Sequence, residues 1–221
     1  MILSRRRFLG ASATMVGAGM ADVPGNHTSG ITFQTQLQES PAANPPIELI
    51  ALNRMAYGPR PGDVARVQGM GFPAYFEEQL NPNDADDALC AAKLASARLR
   101  IQYDAGMGYP AVDEMRPLRT IVENWGLAQL WPLTKHPAYQ ERIRPVEEVR
   151  AATLIRAVYS KWQLREVLVE FWHNHFNVDA YSDSRISATW TLYDRDVIRR
   201  HCLGNFRNML RDVAKSIAMG F

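Results

Sequence analysis

The chain has 221 residues, 47% of them hydrophobic and 22% charged, which is the balance of an ordinary globular protein with room for one substantial domain or two small ones. Its formal charge of +2 rests on 25 basic and 23 acidic residues with no basic stripe, which argues against nucleic acid as a partner. No run approaches the roughly 20 consecutive apolar residues of a membrane-spanning helix, so no span is expected in the mature form.

The first residues read as an address. Ser4-Arg5-Arg6-Arg7-Phe8-Leu9 fits the twin-arginine export pattern, and an apolar, Gly/Ala-rich stretch follows from Leu9 to Met20. Gly19 and Ala21 suit a signal-peptidase cut, which makes 1–21 a signal peptide with Arg5 and Arg6 as its export signal. The twin-arginine export machinery is the first partner this implies, and a periplasmic or cell-envelope location the destination. Removing 1–21, which hold three arginines and no acid, turns the formal charge from +2 to −1. No cysteine stands at the cut, so no lipid anchor is expected. Residues 22–46, rich in Pro, Gly, Ser, Thr, Asn and Gln, read as a disordered leader.

From Ile47 the pattern predicts an all-α fold, a multi-helical bundle of short and medium helices forming a single domain over 47–221. Three short helices are expected first, from Ile47 to before Gly58-Pro59, from Pro61-Gly62-Asp63 to Gly69-Met70-Gly71, and from Ala74 to Leu80. An alanine-rich helix is expected over 84–100 and another from about Asp113 to Leu130. Trp131–Pro145 reads as a surface connection, and 146–159 as a helix with Pro145 near its first turn. A helix over 161–176 follows, then one over 186–201 closed by Gly204, and a last one over 205–217. Ile31-Thr32-Phe33 could form a short strand with nothing nearby to pair with it, and no stretch shows a convincing period of two. Cys90 and Cys202 either form one disulfide or stand as two separate buried thiols, and the second reading is favoured.

The chain is organised around Arg165–Asp179, REVLVEFWHNHFNVD. Ser160 and Gln163 suggest a capping box at its start. Leu164, Leu168, Phe171 and His175 fall on one apolar stripe, which predicts that Leu168, Phe171, Trp172 and His175 face the core. Glu166, Glu170, His173 and Asn177 fall on the other side, which predicts exposure or polar company for Glu166 and His173. Glu170-x-x-His173 has the half-site spacing of carboxylate-bridged dimetal centres in helical bundles, so these two are the candidate ligands of a divalent metal. No second copy of the spacing exists, and a surface Glu–His pair is the simpler reading. His175 and His201 make a further candidate polar site. His-Asn-His within one helical turn does not fit the metal-finger nuclease of the same letters. No Gly-x-Ser-x-Gly elbow and no phosphate-binding glycine loop occurs. The arginines at 195, 199, 200, 207 and 211 read as helix-face solvation or as a grip for an anionic partner.

Several separated motifs resemble one bacterial family, grouped as domain of unknown function 1800. They are the segment from Leu52-Asn53-Arg54 through Tyr57-Gly58-Pro59 to Asp63, then Phe171-Trp172-His173-Asn174-His175-Phe176. The segment from Ile198 to Arg207 and the stretch Val213-Ala214-Lys215 complete the set. The resemblance spans about 47–218 and supports the fold and export more than any chemistry. It also implies that family members continue past Met219 into a helix rich in Glu, Leu and His. On that reading the chain is a C-terminally truncated member, and the partners of Glu170 and His173 lie beyond it. Two functional expectations remain. One is an exported binding or assembly module of the envelope, acting with a co-exported protein partner; the other is a metal-dependent enzyme whose site is completed by residues missing from this chain.

Overall fold

The computed structural model describes residues 44–220. The twin-arginine stretch with Arg5 and Arg6, the rest of the signal peptide and most of the leader lie outside the described residues. Three short helices open the fold, α1 (Ile47–Met55), α2 (Asp63–Met70) and α3 (Phe72–Leu80). They share a small core of Leu52, Val67 and Tyr75. Gly58 and Gly62 take positive φ of +105° and +88° between α1 and α2. A side chain there would be strained, which is why glycine punctuates that turn.

The helix expected over 84–100 is shorter, and it is followed by a hairpin. After a 3-10 turn at Asp84–Asp86, α4 (Ala88–Ser96) ends, and β1 (Arg98–Tyr103) pairs antiparallel with β2 (Val112–Pro117). Leu99, Ile101 and Tyr103 alternate with Arg98, Arg100 and Gln102, a period of two. Ile101 is buried where β1 packs on the long helix below. The helix expected over 113–130 is likewise replaced by β2, α5 (Arg119–Val122) and α6 (Leu127–Leu130).

The long helix α7 (Tyr139–Tyr159) starts before Pro145 and contains it, so the expected surface connection ends early. Its polar start is buried because it is paired. Arg116 and Arg144 both bond Glu141, at 2.5 and 3.1 Å, and Glu148 accepts the Thr120 N–H and O–H at 2.7 and 2.6 Å. Charge alone made this segment look solvent-facing.

After α7 come α8 (Gln163–Phe176), α9 (Ser184–Leu192), a π-helical segment (Tyr193–Arg199), α10 (Phe206–Lys215) and α11 (Ile217–Gly220). The described residues are 67% helical, and among them one two-stranded sheet interrupts an otherwise all-α fold. Val146 and Val149 of α7, Val169 of α8, Ile186 and Trp190 of α9, Ile198, Met209 and Val213 belong to one continuous core. Cys90 and Cys202 are both buried and unpaired, as favoured from the sequence.

The corner between α7 and α8 joins the small core to the large one. Ser160 does not cap α8 through a capping box. Its hydroxyl donates to Asp87 at 2.6 Å and accepts the Trp162 N–H at 3.1 Å, while Gln163 turns back to donate to the Ser160 carbonyl at 2.8 Å. Arg60 donates to the same carbonyl at 2.9 Å, a cation placed at the C-terminus of α7. Gln79 of α3 donates to the Lys161 carbonyl and accepts the Leu164 N–H. Trp162 fills the corner, 2% exposed, with its indole N–H on the Asn83 carbonyl.

Candidate functional site

Helix α8 presents two chemically distinct faces, and its buried face is not the apolar stripe. Val169 is 1% exposed and Glu166 2%, whereas Phe171 is 51% exposed and His175 is exposed beside it. The expectation that Phe171 and His175 lie in the core is therefore overturned, whereas Glu166 is buried and His173 half-buried among polar partners, the second of the two alternatives expected for them. Leu164 is buried and Leu168 and Trp172 are partly buried, so the stripe is covered at its start by the α3 contact at Gln79 and bare at its end.

This arrangement has a cause in the π-helical segment. Hydrogen bonding from i to i+5 brings residues five apart into vertical register. Asp194 and Arg199 are five apart, and the Arg199 Nε–H donates to Asp194 Oδ2 at 2.9 Å. Both reach α8. Arg199 also donates to Glu166 Oε1 at 3.1 Å, and the His173 Nε2–H meets Asp194 Oδ1 at 3.0 Å. An ionised carboxylate only accepts, so this pairing fixes the proton of His173 on Nε2. Arg165 approaches Glu166 at 3.5 Å and Asp84 at 2.7 Å, and Arg156 stands 3.9 Å from Asp194.

Burial alone would raise the Asp194 carboxyl, but Arg199, the His173 hydrogen bond and Arg156 outweigh it and hold the group well below the usual carboxylate range. Burial also works against the charge of Arg199, and Asp194 with Glu166 reverses that, raising its pKa. Arg156 is lowered by burial and by the charge of Arg199. The Tyr193 hydroxyl, pushed up to about 12 by burial, has no hydrogen-bond partner among the described residues. The His173 ring lies against Trp190 and Tyr193, with centroids at 5.4 and 5.6 Å.

The other face is aromatic and open. Phe171 stacks on His175 with centroids 5.8 Å apart, and both meet the Trp172 ring edge-on. Trp172 stacks on Phe206 of α10 at 5.6 Å and 26°, and its indole N–H donates to the Cys202 carbonyl. Phe206 is itself 50% exposed.

The two candidate metal ligands serve different partners. His173 is held by Asp194, and Glu170 accepts the Tyr57 O–H at 2.8 Å. Among the described residues no three His, Cys, Asp or Glu side chains converge as a metal would need. His175 lies in the aromatic face, and His201 pairs with Asp212 at 2.7 Å, tying the end of the π-helical segment to α10. A hollow of about 220 Å³ between β1 and α7, lined by Leu99, Ile101, Gln140, Ile143 and Glu147 among others, brings together no comparable set. Asp194 and Arg156 were not singled out from sequence, and Tyr57 and Phe206 stood only within the resembling segments, with no site role given to them. A spacing of five between Asp194 and Arg199 misleads when a period of 3.6 is assumed, and no local signal marks the π-helical segment.

The first resembling segment now has a structural role: Tyr57 and Arg60 fasten the small subdomain to α8 and to the end of α7. No curated protein and no solved structure matches the chain. A family model described as "Protein of unknown function (DUF1800)" matches residues 50–221, which takes in the Tyr57 clamp, the α8 motif and the π-helical segment, and the chain belongs to that family.

Proposed function

We propose that this protein is an exported binding or assembly module of the cell envelope, and that the aromatic face of α8 and α10 is its binding surface. One observation carries the reading. Phe171 and Phe206 are each about half exposed and are joined through Trp172 into a single aromatic ledge on two helices. Isolated exposed apolar residues are ordinary, whereas a contiguous aromatic ledge with a polar rim has the composition of an interface centre. The inner face supplies rigidity, because its ion pairs lock α8 to the π-helical segment and leave the ledge on a fixed base. Export by the twin-arginine machinery rests on Ser4–Leu9, and a partner exported by the same route would meet the ledge in the envelope.

A metal-dependent enzyme using Glu170 and His173 is the weaker reading, since each side chain is engaged elsewhere.

Replacing Phe171 and Phe206 together by Ser tests the binding surface. In native gel filtration of envelope fractions, the wild type should run larger than the monomer and the double variant as the monomer, with little change in melting temperature. Wild type running as a monomer would overturn the binding assignment. Separately, Arg5→Lys with Arg6→Lys should leave the precursor in the cytoplasm; unchanged export would overturn the location.

A further inference from the structure

The ledge continues along α10 in a way that specifies what binds it. Met209 and Val213 bury one side of α10, and Phe206, Leu210 and Ala214 form an exposed strip at four-residue spacing beside it. Next to that strip, again four apart, stand Arg207, Arg211 and Lys215, all exposed. Among the described residues no acid pairs with Arg207 or Lys215. Arg211 shares Asp212 with His201 and remains 56% exposed. The surface is thus an apolar strip edged along one side by three cations, over a helix about 15 Å long.

We infer that this surface binds an amphipathic helix of a partner protein whose apolar stripe is flanked by carboxylates about four residues apart. The inference rests on the aromatic ledge being the binding surface and adds the chemistry of the occupant. Charge decides against a second copy of this chain, because two-fold self-pairing would set the same cationic row near itself. An anionic membrane would satisfy the cations, but the aromatics suit it poorly. Trp172 and Phe206 lie stacked flat on each other, and Phe171 is stacked on His175, so ring edges and not whole side chains reach outward. Exposed Asn174, Asn205 and Asn208 add the polar rim of a protein interface.

The test uses the full chain and fluorescence anisotropy with labelled synthetic helices. One helix carries Leu on one stripe with Glu four apart beside it, the second has Lys at every Glu position, and phosphatidylglycerol vesicles form a third probe. The Glu helix should bind the wild type about tenfold or more tightly than the Lys helix, as three rim charges together allow. Arg207→Glu, Arg211→Glu and Lys215→Glu combined should invert that preference. Equal binding of both helices, or vesicle binding without Glu-helix binding, would overturn the inference while leaving the ledge as a surface, provided that Phe171→Ser with Phe206→Ser abolishes the signal. Glu-helix binding that survives the Phe171→Ser/Phe206→Ser pair would overturn the ledge itself, and no binding of any probe would overturn the inference.

Discussion

Asp194 is the residue on which the inner face depends most. It lies between Arg199, His173 and Arg156, and its removal would leave two buried guanidinium groups short of a carboxylate, with Arg199 keeping only Glu166. Breaking one partner of a buried ion pair costs about 3–5 kcal/mol. Asp194→Asn should therefore lower the urea midpoint by a large part of total stability, with an unchanged dependence on denaturant. Phe171→Ser, by contrast, should cost less than about 1 kcal/mol, because half of the side chain already meets water. A loss as large as that of a core phenylalanine would restore the helical phase expected from the stripe. Sequence placed α8 correctly and its register wrongly, and the residues say why. A helical wheel marks Glu166 and His173 as polar and cannot say whether water or buried charged partners meet them. They point inward because Arg199 and Asp194 sit where the π-helical segment places them, as charged partners for both.

Between elements, the corner Ser160-Lys161-Trp162 is where the small subdomain, α4, α7 and α8 meet. Asp87 is its hub, accepting the Ser160 O–H at 2.6 Å and the Lys161 N–H at 3.1 Å. Asp87→Ala leaves a buried hydroxyl and a backbone N–H unsatisfied, a cost of about 1–3 kcal/mol each way it is counted. Hydrogen exchange should then quicken first at the α7–α8 corner, before the α9 core opens; uniform acceleration across the molecule would contradict a local hub. The helices that carry sharp stop signals, α1 to α3, were legible because Gly58-Pro59, Gly71 and Asn81 punctuate them. The hairpin was not, because six-residue strands rich in Arg, Glu and Asp hide their alternation behind charge. The π-helical segment was invisible for the reason that it carries an ordinary helical composition.

For the molecule as a whole, buried carboxylates set the acid limit. Asp194 is held low chiefly by Arg199 against its burial, and Glu141 is lowered by Arg116 and Arg144 against the same penalty. Such groups release protons more readily folded than unfolded, so as pH falls the unfolded chain takes up protons first. Their stabilisation is full above the ordinary carboxylate values of about 4 and drains away below them. Glu148 works in the opposite sense, since burial raises it despite Thr120 and Arg144, and protonation relieves part of its cost. The melting temperature should hold between about pH 7 and 5 and drop steeply below about pH 4. Asp194→Asn should flatten that drop, and an equal acid slope in wild type and variant would remove Asp194 from its cause. The all-α class and the family were readable from separated motifs, whereas the depth of this ion network required the fold to bring 156, 166, 173, 194 and 199 together.

The two thiols carry a consequence for handling the protein in an oxidising space. Burial pushes both Cys90 and Cys202 up to about 11, and the Cys202 S–H donates to the Arg199 carbonyl. At pH 8 only roughly one in a thousand of such groups is thiolate, the form that attacks alkylating reagents and disulfides. The native protein should thus ignore iodoacetamide, and each molecule that opens should be tagged irreversibly at a normal thiol rate. Mass counting of tagged chains over time would then serve as a clock for native-state opening, with no spectroscopic probe added; prompt labelling of the folded protein would show that its sulfurs are open to solvent.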